Sequence, residues 1–272
     1  MFDDDREPGT DGHSDYFADL MATYGVPADD DAARQPYTTF DRMVEGLLPR
    51  LGPLGERFDL AVMAHATPDG RPTWAMSHLV DLVRAPGLAF AVSDQGVVAP
   101  FTGLRMAVRG GATHGARRAL VWAVDQAVLM HTGPVAGRLR PLHDEAVVLA
   151  LDVDGAAGVV DVHQQTDVSP GEVPDRLAAH LSPGRDDRSD TPLTTICGRG
   201  LEGVWTPGPE AGTVRWAPPG RPCTGVWTVL ADQLPRWQFT GQRVVVADYD
   251  EQLRYLSVGV LDVPAATGTE ER

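Results

Sequence analysis

The sequence predicts an α/β protein whose buried sheets are covered by helices, and three observations carry that prediction. Short apolar runs such as "DLAVMAH" (59–65) and "QRVVVADYD" (242–250) are near-continuous rather than alternating, as strands buried on both faces must be. Segments of helical spacing fall between them. The order strand, helix, three strands is followed by strand, helix, two strands, so a helix sits between core strands twice.

Each element has its own signal. Residues 14–25 read as a helix with Ser14 as N-cap and Gly25 as stop. Residues 38–51 place Phe40, Met43, Leu47 and Leu48 on one helical face, with Pro49 ending or kinking the turn. After the strand at 59–65 and the turn at Pro68-Asp69-Gly70, a helix is expected over 73–83. A strand at 88–92 leads through Ser93-Asp94-Gln95-Gly96 into a helix over 98–107. Residues 118–130 contain a further strand. Runs 145–155 and 158–168 look like a hairpin about Gly155–Gly158. A helix at 173–181, a polar loop at 182–190 and a strand at 191–198 follow. A Pro/Gly-rich stretch, 206–222, precedes a helix at 224–234, and strands at 242–250 and 253–263 close the fold. Residues 1–14 and 264–272 read as tails, 15–168 as an N-terminal half and 169–263 as a shorter C-terminal half.

At 272 residues and 43% apolar, the chain can bury a substantial core. Its apolar runs are far shorter than the roughly 20 residues a membrane span needs. The acidic, polar N-terminus is unlike a signal peptide, so a cytoplasmic location is expected. A net charge of −15 disfavours nucleic acid as a partner. Two cysteines, Cys197 and Cys223, are too few for a disulfide framework or a structural zinc site, and the histidines have no metal-ligand spacing. No glycine loop of the phosphate-binding type is present, and no cofactor is expected. All 23 basic residues are arginine, and asparagine is absent.

The stretch "AFAVSDQGVVAPFTGLRMA" (89–107) raises the functional question. A strand, a sharp turn and a buried helix N-terminus present a nucleophile well, because free N–H groups and the helix dipole stabilise an anion there. Yet the residue after the turn glycine is Val97, which has no nucleophilic atom.

This stretch, with "FDLAVMAHATPDGRPTWAMSHLV", "RALVWAVDQ", "DEAVVLALDVDG" and "GQRVVVADYDEQLRYLSVGV", resembles ketoacyl synthase III-like enzymes of the thiolase-fold superfamily. The resemblance covers roughly 40–168 and 220–263 and is strongest over 58–126. It implies a layered αβαβα sandwich of two similar halves, truncated here by loss of the first family strand and an abbreviated stretch at about 183–222, and normally dimeric. It also implies that Val97 stands where the family's catalytic cysteine would be. Histidine and asparagine in the second half complete the family's machinery. Here the last histidine is His180 and there is no asparagine, so all three roles are vacant.

Other residues compete for a role. Cys223, before a helix, reads as a relocated nucleophile or as an inert packed thiol. His163 reads as a base or as a polar residue on a solvated strand face. Asp94 and Gln95 form a polar site with His65 or His78, or satisfy their own turn. Arg117 and Arg118 contact an acyl carrier protein or a coenzyme A phosphate, or are ordinary solvated charge.

The expected function is that of a non-catalytic subunit pairing with an active ketoacyl synthase III-like enzyme, in fatty-acyl or specialised-metabolite biosynthesis of the polyketide type. In kind it is similar to the inactive subunit of the alkylquinolone-forming synthase, with residues 97–126 at or near the interface. The alternatives are a free-standing enzyme acting on an acyl thioester by transfer, cyclisation or hydrolysis, and a homodimeric acyl-binding protein.

Overall fold

A computed structural model describes residues 14–29, 31–32, 35–51, 58–70, 75–82, 87–114, 116–135, 137–152, 159–181 and 191–265. Most of the two expected tails, the turn at 153–158 and the loop at 182–190 lie outside the described residues.

Six helices and nine strands run in chain order: α1 (Ser14–Thr23), α2 (Phe40–Leu47), β1 (Leu60–His65), α3 (Ala75–Leu82), β2 (Leu88–Val92), α4 (Ala99–His114), β3 (Arg118–Asp125), β4 (Glu145–Asp152), β5 (Val159–Gln165), α5 (Val173–Leu181), β6 (Leu193–Cys197), β7 (Thr213–Trp216), α6 (Gly225–Thr240), β8 (Gln242–Asp250) and β9 (Tyr255–Val263), among the described residues. They build two sheets, ordered β2-β1-β3-β4 and β7-β6-β8-β9-β5. In the first, β2, β1 and β3 are parallel and β4 is antiparallel to β3. In the second, β7, β6 and β8 are parallel and β9 is antiparallel to β8. The internal repetition expected from the sequence is therefore a repetition of topology.

The repeats differ in two places. Strand β5 extends the second sheet beyond β9, and the described residues contain no counterpart in the first. Where α3 links β1 to β2, two short 3-10 turns, Arg199–Leu201 and Pro209–Ala211, link β6 to β7. The pairing of β5 corrects the expected hairpin. β4 lies in the first sheet against β3, whereas β5 lies in the second against β9. By sheet membership β5 goes with the second half, not with the half drawn at 15–168.

Layering follows from which faces are apolar. Met63, Leu120 and Trp122 point from the first sheet onto Met43 of α2 and Leu79 of α3. Their strand neighbours Val62 and Val121 point the other way, onto Ala99 and Ala107 of α4, as the two-residue period of a strand requires. Gly103 lets α4 lie close, since a Cβ there would stand 3.1 Å from Val121 and 3.2 Å from Val62. Residues of α4 and α6 then fill the space between the sheets with Ile196, Val244 and Val246. Val173, Leu177 and Leu181 of α5 cover the outer face of the second sheet. The five layers are α2/α3, first sheet, α4/α6, second sheet, α5.

Candidate functional site

The two central helices are equivalent in the repeat. Each has 16 residues and each follows the edge parallel strand of its sheet, β2 for α4 and β7 for α6. Val97 and Cys223 stand two residues before their respective helices, and Phe101 and Trp227 are third within them. These pairs meet at the centre of the molecule. The rings of Phe101 and Trp227 lie 4.8 Å apart at 57°, and the Cys223 thiol points at the Gly96 carbonyl at 3.7 Å.

Carboxylates from the strand ends close both helix N-termini, each crossing to the other half. Asp125, at the end of β3, accepts the Cys223 N–H at 3.1 Å and the Thr224 N–H at 2.8 Å. Asp250, at the end of β8, accepts the Leu253 N–H at 3.0 Å and faces the Val97 N–H at 3.4 Å. Asp248 accepts the Gly200 N–H at 3.0 Å. The first N–H groups of a helix have no intrahelical partner, and here carboxyl oxygens of the protein itself accept from them.

Val97 is 3% exposed and belongs to the core between the sheets. The position that the resemblance assigns to a nucleophile therefore serves packing, worth roughly 1–2 kcal/mol of apolar transfer. Cys223 is 0% exposed. Burial, with Asp125 next, pushes its thiol well above the usual range. Cys197 is pushed up to about 12 by burial and Asp248. Neither sulfur is a thiolate near neutral pH, and nucleophilic chemistry needs the thiolate.

His65 ends β1, and its ring lies 5.3 Å from that of Phe40 of α2, on the face of the first sheet that Met63 shares and opposite to α4. Its Nδ1 lies 2.8 Å from the Thr67 carbonyl, which fixes the tautomer with a proton on Nδ1 and leaves Nε2 as an acceptor. Burial lowers the imidazole's pKa, against that carbonyl and the Asp94 carboxylate. Asp94 itself takes a left-handed φ of 59°, and its carboxylate accepts the Ser93 hydroxyl at 3.1 Å. The Gln95 side chain pairs with Thr102. The fold thus brings His65, Asp94, Val97 and Cys223 to the same ends of the strands.

The remaining candidates lie elsewhere. Arg117 and Arg118 stand at the opposite end of β3, their N–H groups at 2.7 and 3.1 Å from Asp59. At about 3.3 Å per residue, Arg118 is roughly 23 Å from Asp125. His78 binds Glu45 at 2.6 Å in the α2/α3 layer, so it does not join Asp94 and Gln95. His163 faces away from the centre. Its neighbour Gln164 reaches Thr102 of α4 at 2.9 Å, so alternation turns His163 outward, against His180 at 4.5 Å and Asp161 at 3.0 Å. Among the described residues no group of three or more histidine, cysteine, aspartate or glutamate side chains could hold a metal ion, and no helix is long and apolar enough to cross a membrane.

Sequence reasoning missed Asp125, Thr224, Asp248 and Asp250. A signal exists: the apolar strands "VWAVD" and "VVVADYD" both end in aspartate just past the last buried aliphatic residues.

The turn is tightly specified. Gly96 has φ 53°, and a Cβ there would overlap the Asp250 carboxylate. Asp250 is 2% exposed and already holds the Leu253 N–H, so it cannot move aside freely. Gly96→Ala is expected to cost about 1–3 kcal/mol, measured as the midpoint shift in denaturant unfolding. A neutral result would show that the turn relaxes.

No protein-family model matches the chain, and no curated protein sequence matches it. Solved structures do match. A 3-oxoacyl-(acyl-carrier protein) synthase from Burkholderia xenovorans matches with a TM-score of 0.64 at 14% identity, covering 92% of this chain and 89% of its own. The acyltransferase ChlB3 matches with a TM-score of 0.60 at 15% identity, over 95% of this chain and 91% of its own. The 3-oxoacyl-(acyl carrier protein) synthase III of Pseudomonas aeruginosa matches at 0.56 and 16% identity, over 84% and 83%. At such identities the likeness speaks for architecture, and that architecture is the layered thiolase-like fold of the 3-oxoacyl-(acyl-carrier protein) synthase III enzymes.

Proposed function

We propose that this chain is a non-catalytic ketosynthase-like subunit that pairs with an active ketoacyl synthase III-like enzyme in fatty-acyl or specialised-metabolite biosynthesis. The observation that carries the reading is the buried Val97 at the start of α4, with Asp250 facing its N–H. The absence of asparagine, and of histidine beyond His180, supports it.

Pairing has its own support in the edge strands. β2 is Leu-Ala-Phe-Ala-Val, uncharged, with Leu88 59% exposed. β7, its counterpart in the repeat, is only four residues long and carries Arg215. A charged, short edge resists pairing with another chain, while an apolar uncharged one invites it. Of these two equivalent edges β2 is the one suited to a partner, and it adjoins α4.

The test is the size and mass of the purified chain, alone and coexpressed with an intact synthase III-like enzyme. A stable one-to-one complex supports the reading, and a homodimer that ignores the synthase overturns it. A sharper check is Val97→Cys. The variant is expected to fold and to show no condensation above the parent, because the added sulfur has neither histidine nor asparagine to work with. Measurable condensation by Val97→Cys would contradict the proposal.

A second reading rests on His65, whose fixed tautomer and lowered pKa suit a neutral base. It makes the chain a free-standing enzyme acting on an acyl thioester. Turnover by the isolated chain that disappears in His65→Gln would favour it over the subunit reading.

A further inference from the structure

Thr224 stands at the start of α6, and its hydroxyl lies between two carboxyl groups. Oγ1 is 2.7 Å from Asp125 Oδ2 and 2.8 Å from Glu145 Oε2. A hydroxyl carries one proton and can donate to only one of them. Two ionised carboxylates would leave the other contact as lone pair against lone pair in a buried site. The geometry is satisfied when one carboxyl is protonated and donates into Oγ1, while Oγ1 donates onward to the other.

The surroundings say which carboxyl holds the proton. Glu145 has the cation, with Arg221 Nε 3.0 Å from Oε2, although off the line of a hydrogen bond. Asp125 is 2% exposed. It faces the Cys223 and Thr224 N–H groups from α6 and the Glu145 charge from β4. Asp248 and Asp250 from β8 add negative charge around the adjoining Cys223.

We propose that Asp125 holds a proton that it donates to the Thr224 hydroxyl, which donates onward to the Glu145 carboxylate, forming a latch that ties the start of α6 to the ends of β3 and β4. Since α6 belongs to the second half and β3 and β4 to the first, the latch joins the halves more firmly when protonated than when ionised. Burial raises Asp125 from 3.8 to about 6, outweighing the hydrogen bonds from Thr224 and Cys223 that lower it. The folded value lies above the unfolded one, so the latch's contribution is full below about 3.8 and is lost as pH rises through about 6. The inference stands on this geometry whether or not the chain pairs with a synthase.

The test uses the full chain. Carboxyl carbon NMR follows Asp125 from about pH 4 to about pH 8, and hydrogen exchange of the Cys223 and Thr224 amides, corrected for the intrinsic rate, follows the latch. Asp125 is expected to titrate near 6, with protection of both amides falling about tenfold or more as it ionises. Glu145→Gln removes the competing carboxylate, so the Asp125 midpoint should fall by about one unit and carry the loss of protection with it. Thr224→Ser keeps the hydroxyl and should keep both behaviours. An unmoved midpoint in Glu145→Gln, or protection indifferent to the ionisation of Asp125, overturns the proposal. If a variant does not fold, the parent titration decides alone, because an Asp125 fully ionised at pH 5 rules that proton out.

Discussion

Trp227→Ala is expected to remove about 3–5 kcal/mol of stability, a large part of the roughly 5–15 kcal/mol that holds a domain together. The indole is fully buried between the sheets and meets the equally buried Phe101 at 4.8 Å. Those two rings occupy equivalent positions of α4 and α6, so the truncation opens a cavity where the halves meet. Neighbours cannot collapse into it easily, since Ile196 and Val246 of the second sheet are anchored in strands. Denaturant unfolding measures the loss. Phe239→Ala on the same helix is the control, because Phe239 is 77% exposed and its removal should stay within about 0.5 kcal/mol. Trp227→Phe should cost less than Trp227→Ala, as it keeps a ring against Phe101 and deletes an indole N–H without a partner. A loss below about 1 kcal/mol for Trp227→Ala would show that the halves do not depend on this contact.

The second large effect is expected at β2. Ala91 is exposed on that edge, so Ala91→Arg should leave the fold intact. A guanidinium there must be buried without a partner when another strand docks alongside. Association with the coexpressed synthase should weaken by at least about a hundredfold, or about 2.7 kcal/mol. Thr213→Arg makes the same change on β7, which already carries Arg215, and should leave association unchanged. Titration of the purified partner against each variant separates the outcomes. Equal binding by Ala91→Arg and the parent would mean that any partner docks elsewhere.

Much of the architecture was legible locally. Strands β1, β3, β8 and β9 are apolar runs that only a buried sheet accommodates. Gly25 has the positive φ, 67°, that its role as a helix stop requires. The turn glycine before Val97, with its positive φ of 53°, was legible too. β7 was not, because four residues inside a Pro/Gly-rich stretch carry no measurable period. The length of α6 was underestimated at Pro235, beyond which Trp237, 5% exposed, holds the last turns against the core.

What the sequence by itself determined, then, is the set of apolar strands and helices and their order. Tertiary structure alone decided the partners. It sent β4 and β5, neighbours in the chain, into different sheets. It also set Asp125 against Thr224 across 99 positions and Asp250 against Val97 across 153. Periodicity reports which face of an element is buried, because burial acts residue by residue. It carries no record of which distant backbone will satisfy a strand edge or which carboxylate will close a helix end, since those choices are fixed only when the whole chain packs.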